Sequence, residues 1–99
     1  MIVVRNVFRL KFGKARDAIA LAKEVEAIGK KHGATPSRYL TDLTGEFYTF
    51  VMETNYESLT AMEKEQREVM GQKEFSDWYQ KFIPIVESGY REMFTVVTA

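Results

Sequence analysis

The sequence predicts an α+β fold built on one antiparallel sheet. Three observations carry this expectation. Both ends read as strands, since "MIVVRNVFRL" opens the chain and "MFTVVTA" closes it. Two stretches between them repeat with helical period. The segment joining those stretches reads as a hairpin. The order strand, helix, strand, strand, helix, strand is the split β-α-β arrangement of a ferredoxin-like fold with a four-stranded sheet. Right-handed crossovers then place the first and third strands side by side at the centre, with the fourth beside the first and the second outside the third. On this reading the two ends of the chain are strands because they pair with each other.

Residues 2–12 alternate with period two. Ile2, Val4, Asn6, Phe8, Leu10 and Phe12 share one face, which is apolar except for Asn6. Val3, Arg5, Val7, Arg9 and Lys11 share the other, mixing valine with cations. Gly13 breaks the strand. From Lys14 to Lys31 the period becomes helical, with a stripe of Ala15, Ala18, Ile19, Ala22, Val25, Ala27 and Ile28. Lys30, Lys31 and His32 suit the negative end of the helix dipole, Gly33 suits a left-handed cap, and Pro36 forbids continuation.

Residues 37–43 and 46–54 read as strands around Thr44-Gly45. The second has Phe47, Thr49 and Val51 on one face and Tyr48, Phe50 and Met52 on the other. Apolar residues on both faces suit a strand covered twice. Thr54 and Glu57 fit a capping box for a helix carrying Leu59, Met62, Gln66, Val69 and Met70 up to Gly71. A second helical piece, 73–87, holds Phe75, Trp78, Tyr79, Phe82, Ile85 and Val86, with Pro84 expected to kink or locally end it. Gly89 ends it, and residues 90–98 form the last strand.

Composition narrows the function classes. Ninety-nine residues make one domain, 1–99, with one modest core. Lys plus Arg and Asp plus Glu number 14 each. A nucleic-acid binder needs a basic excess to neutralise phosphates, and none is present. The absence of cysteine excludes disulfides, thiol catalysis and Cys-ligated metals. A single histidine excludes a multi-His metal site within one chain. No apolar run approaches the ~18 residues that span a membrane. The first residues lack the basic and apolar blocks of a secretory leader, so a cytoplasmic location is expected. Phosphate loops, nucleophile elbows and HExxH are absent.

Helices on one face of the sheet leave the other uncovered. That face is expected to carry Val3, Val7, Tyr48, Phe50 and Met52 or their opposite numbers, too apolar for water. A second copy would cover it, giving a homodimeric α+β barrel about a two-fold axis. Arg5 and Arg9 would then need acceptors such as Glu53, Asp42 or Glu92.

A family resemblance agrees with this. "LKFGKARDAI" resembles the strand-to-helix junction of NIPSNAP-like proteins. "TNYESLTAMEKEQREVMGQKEFSDWYQKFIPIVESGYREMF" is similar to the second half of the wider dimeric α+β barrel superfamily. That superfamily includes antibiotic-biosynthesis-type and haem-degrading monooxygenases. The resemblance covers nearly the whole chain but carries no diagnostic catalytic motif, and a fold does not imply a function. In the haem-degrading members an Asn on the first strand, a Trp on the late helix and a His ligand make the site. Asn6 matches the first and Trp78 the second. No histidine matches the third, because His32 lies at the end of the other helix. Tyr79 carries an oxygen that can ligate iron, with nothing else in the sequence to support that role. Haem is therefore disfavoured, and no cofactor or metal is expected.

The candidate site is Asn6, Tyr39, Trp78 and Tyr79. One reading makes Trp78, Tyr79, Phe75 and Phe82 the aromatic wall of a pocket between helices and sheet, with Asn6 orienting a ligand. The pocket would bind a small apolar or aromatic molecule, or oxidise one without a cofactor. Alanines on the first helix would leave the space. The other reading makes the same residues core of a non-catalytic dimeric module, with Asn6 a buried amide bonded to backbone or water. His32 reads as a general base or a helix cap. Arg5 and Arg9 read as holders of a carboxylate or as inter-subunit ion pairs. The Glu63–Glu68 charge run is a solvated helix face.

Overall fold

A computed structural model describes residues 1–99. Its order is β1 (Ile2–Leu10), α1 (Ala15–Lys31), β2 (Arg38–Thr41), β3 (Thr49–Tyr56), α2 (Leu59–Met70), α3 (Lys73–Phe82), a short 3₁₀ turn (Ile83–Ile85) and β4 (Val86–Thr95). The sheet is antiparallel, in the order β2-β3-β1-β4. This is the expected ferredoxin-like α+β arrangement, with β1 paired on both sides.

Register decides which side chains meet the helices. Val4 faces Thr54, Asn6 faces Met52, and Phe8 faces Phe50 across the β1–β3 pair. Directly opposed residues share a face, so Val4, Asn6, Phe8, Leu10, Phe50 and Met52 lie on the helix side. The buried cluster there joins Leu10 and Phe50 to Ala18, Leu21 and Ala22 of α1, to Trp78 and Phe82 of α3, and to Ile85. Phe50 and Met52 thus point to the helices and not to the open face; Val51 and Glu53 take the open positions. On α1 the buried stripe is Ala18, Leu21, Ala22 and Gly29, while Ile19 and Ala27 are exposed. Leu21 is the core residue that the alanine-rich stripe concealed.

Three expected boundaries move. Thr54 does not cap a helix: it is buried in β3, which runs on to Tyr56. Ser58 caps α2 instead, its Oγ accepting from Ala61 N at 3.1 Å. At Pro84 the chain takes the second of the two expected outcomes and ends the helix. The helix stops at Phe82, the 3₁₀ turn holds Pro84, and β4 begins at Val86. Gly89 is therefore inside β4, opposite Phe8. A Cβ there would meet Phe8 Cδ1 at 2.9 Å and Val7 O at 3.0 Å. The glycine lets the Phe8 ring lie across the neighbouring strand. At the hairpin, Gly45 (φ 98°) and Tyr48 (φ 59°) both take left-handed backbone, which delays β3 until Thr49.

The open face carries Val3, Val7, Leu40, Val51 and Phe94 around charged residues. Arg5 reaches Glu53, with Nε and Nη2 donating to Oε2 at 3.0 and 2.9 Å. Arg38 donates to the other Glu53 oxygen. Arg9 pairs with Glu46, and its Nε is buried without a partner. Hydrogen bonds from two guanidinium groups hold the Glu53 carboxyl below its usual range, with their charges adding to the effect.

Two predictions follow from this packing. Gly89→Ala is expected to destabilise the protein by about 1–3 kcal/mol through overpacking, read as a lower urea midpoint with an unchanged m-value. Because its folded-state pKa is depressed, Glu53 contributes stability that is present above the ordinary carboxylate pKa of about 4.3 and lost as pH falls through the lower folded value. Glu53→Gln should flatten that acid limb of the pH–stability curve; an unchanged limb would show that the ion pair contributes nothing.

Candidate functional site

A cavity of about 1170 Å³ lies between the helices and the sheet. Its floor is one row of side chains across all four strands. Arg91 of β4 opposes Asn6, Asn6 opposes Met52, and Met52 opposes Tyr39 of β2. Its roof is made by Val25, Glu26 and Gly29 of α1, Glu65 and Val69 of α2, and the aromatic side of α3. The space opens beside α2, whose only buried residue is Met62. The alanines Ala18 and Ala22 do not line it; they are packed in the core.

All four residues singled out in the sequence, Asn6, Tyr39, Trp78 and Tyr79, line this cavity. Trp78 is its most committed member. The indole is 5% exposed, its Nε1 donates to Leu21 O at 2.7 Å, and its ring stacks on Phe82 with centroids 5.0 Å apart. It offers a ligand only an apolar surface. Tyr79 is 48% exposed and stacks on Phe75, which places it at the rim. Asn6 is half-buried, and its Oδ1 accepts from Arg91 Nε at 2.9 Å. Arginine has no acceptor, so this contact fixes which way the amide points.

The polar wall lies toward β2. Glu26 Oε1 accepts from Tyr39 OH and from Ser37 N, both at 2.9 Å. Glu65 Oε1 accepts from Thr35 N at 2.7 Å and Thr35 Oγ1 at 2.8 Å. Two helix carboxylates thereby hold the α1–β2 connection from either side. Burial, reinforced by Glu26, pushes the Tyr39 hydroxyl well above its ordinary value. Burial and the neighbouring Glu65 push Tyr56 up to about 12. Both phenols stay protonated near neutrality and act as hydrogen-bond donors, not as bases.

Sequence reading missed Glu26, Glu65, Tyr56 and Arg91. Their signal was weak, since each sits in a stretch that reads as solvated helix or ordinary strand. His32 lies outside the cavity, at the C-terminal cap of α1, where it and Lys31 contact Glu74 of α3. No histidine lines the cavity, and no group of three or more His, Cys, Asp or Glu side chains is placed to hold a metal ion. The residues present do not fit a histidine-ligated haem. No helix is long and apolar enough to cross a membrane.

Fold and cavity together define a class: a ferredoxin-like α+β protein with a ligand-sized space between its helices and its sheet. Within that class, residues 4–98 match the NIPSNAP family, and the chain belongs to it. A NIPSNAP family protein of unknown function from Agrobacterium tumefaciens is similar in structure, with TM-score 0.86 and 18% identity over 95% of this chain and 86% of that one. An uncharacterised NIPSNAP domain protein from Burkholderia xenovorans gives TM-score 0.88 and 14% identity over 98% and 95%. A Nitrosomonas europaea protein assigned as an antibiotic biosynthesis monooxygenase gives TM-score 0.76 and 10% identity over 99% and 100%. At these identities the likeness is one of fold. No curated protein matches the chain.

Alkaline titration tests the polar wall. Of the five tyrosines, two should ionise later than the rest when followed by tyrosinate absorbance. Tyr39→Phe and Tyr56→Phe should each remove one late step. Raised folded-state values also mean that the stability these groups contribute is complete below about pH 10 and is lost as pH rises towards their folded values. If both variants leave the late steps in place, the phenols are not held as described.

Proposed function

We propose that the protein is a homodimeric small-molecule-binding protein, and that its ligand occupies the cavity between helices and sheet. The cavity carries the proposal. It slightly exceeds the usual range of ligand sites, about 300–1,000 Å³, and combines apolar walls with a few convergent polar groups. Phe8, Met52, Phe75, Trp78 and Val69 supply the apolar surface, and Asn6 supplies a fixed polar handle. The ligand is a small apolar or aromatic molecule. Its binding needs no haem, which is consistent with a lining free of histidine.

The homodimer is supported by the open face of the sheet. Val3, Leu40, Val51 and Phe94 sit there partly or largely exposed, an apolar surface that a second copy would cover. Oxidation of the bound molecule is the reaction class that the neighbour assigned as an antibiotic biosynthesis monooxygenase brings to this cavity, and an electron-rich aromatic oxidised without a cofactor is the form that a dry, shaped pocket would suit. A second reading, a non-catalytic dimeric module, draws on one observation: Trp78 and Phe82 are 5% and 3% exposed and already complete a packed core.

Native mass spectrometry of protein purified gently from its own host tests both halves of the proposal. A dimer with a reproducible extra mass is expected. Asn6→Leu should keep the dimer and lose that mass. A monodisperse monomer at micromolar concentration would remove the dimer. A bare dimer whose Asn6→Leu variant is simply more stable would favour the non-catalytic module.

A further inference from the structure

We infer that the ligand is an aromatic acid, held by its ionised oxygen group at Asn6 and Arg91. The inference rests on the ligand cavity proposed above. Asn6 turns its only acceptor, Oδ1, to Arg91 Nε at 2.9 Å. What remains at that end of the floor is the Asn6 amide nitrogen and the two terminal nitrogens of Arg91, and all of these are donors. None of them has a hydrogen-bond or ion-pair partner within the chain. A pole made only of donors, one of them cationic, matches a carboxylate or an ionised phenol or enol.

The opposite end of the same row is built the other way. Tyr39 donates its proton to Glu26 Oε1, and the second carboxylate oxygen of Glu26 has no protein donor. An anionic group placed there would meet like charge, so the acid is directed to Arg91. The two ends are three inter-strand spacings apart, roughly 14 Å. Phe8, Met52, Phe75 and Phe82 line the space between them, which suits a flat body of about three fused rings. A hydroxyl or amino donor at the far end of that body would meet the Glu26 carboxylate.

Fluorescent probes test this directly. Anthracene-2-carboxylate and the neutral anthracene-2-carboxamide have nearly the same shape. The wild-type protein should bind the acid about tenfold more tightly than the amide, the scale of one charge-assisted contact at a partly hydrated site. Arg91→Met should remove that preference by weakening the acid alone, and an unchanged amide affinity would show that the cavity is intact. Arg91→Lys, which keeps the charge, should retain part of the preference. If Arg91→Met does not fold, Arg91→Gln serves the same comparison. Equal binding of acid and amide by the wild type, or equal weakening of both by the variant, would overturn the acid pole and leave the ligand cavity standing. Failure of both probes to bind at millimolar concentration would overturn the cavity reading and this inference together.

Discussion

The pairing of β1 on both of its edges is the constraint on which the rest depends. With β3 on one side and β4 on the other, β1 cannot shift by one residue without turning every side chain of its nine to the wrong face. Its register sends Val4, Phe8 and Leu10 to the helices and Arg5 and Arg9 to the open side. The same register puts Asn6 between Arg91 and Met52, so the one polar residue of the inward face falls into a row that crosses the whole sheet. The site is a consequence of that pairing as much as the core is.

The helix layer is packed unevenly, and the unevenness makes room for a ligand. Around Ala18, Leu21, Ala22, Trp78 and Phe82 the interior is closely packed. Ala18 is 0% exposed, Trp78 is bonded to the α1 backbone, and Phe8, Phe50 and Phe82 meet edge-on or tilted. Toward α2 the side chains become polar and the groups are paired with carboxylates instead of being packed against carbon. Glu26 and Glu65 satisfy the backbone of the α1–β2 connection, which would otherwise leave part-buried N–H groups without protein partners. Satisfying those groups with carboxylates, and not with a filled apolar core, keeps the space beneath α2 available.

Much of the fold was legible in the sequence because alternation and helical period are local signals. The element order, the strand order and the stop at Pro84 all follow from them. The errors lie where a tertiary contact overrides a local rule. Thr54 and Glu57 have capping-box spacing, but Thr54 is taken up by β3 because its partner Val4 holds it in the sheet. Gly89 looks like a helix terminator and is instead a strand residue kept small by the Phe8 ring. Asn6 stood out in the sequence because it breaks an apolar pattern. Arg91, Glu26 and Glu65 did not stand out, because a charged residue on a strand or a helix breaks no pattern. Their importance comes from being brought to one cavity by chain segments up to 65 positions apart, as from Glu26 to Arg91.

The two faces of the sheet answer the same problem differently. Each has apolar side chains interrupted by charge. On the helix side the charges are at the cavity's ends, and the apolar residues between them are covered by the chain itself. On the open side Glu53 is 10% exposed and held by two guanidinium groups, among valines of which Val7 is buried and Val3 and Val51 are half-buried. Desolvating an ion pair of this kind is costly, and the return depends on complete hydrogen bonding. Glu53 has it and Arg9 does not. A second copy seated on this face would cover the exposed apolar side chains, Leu40 and Phe94 among them. The open face therefore bears on the cavity behind it, because the same β1 backbone positions Arg5 and Arg9 on one side and Asn6 on the other.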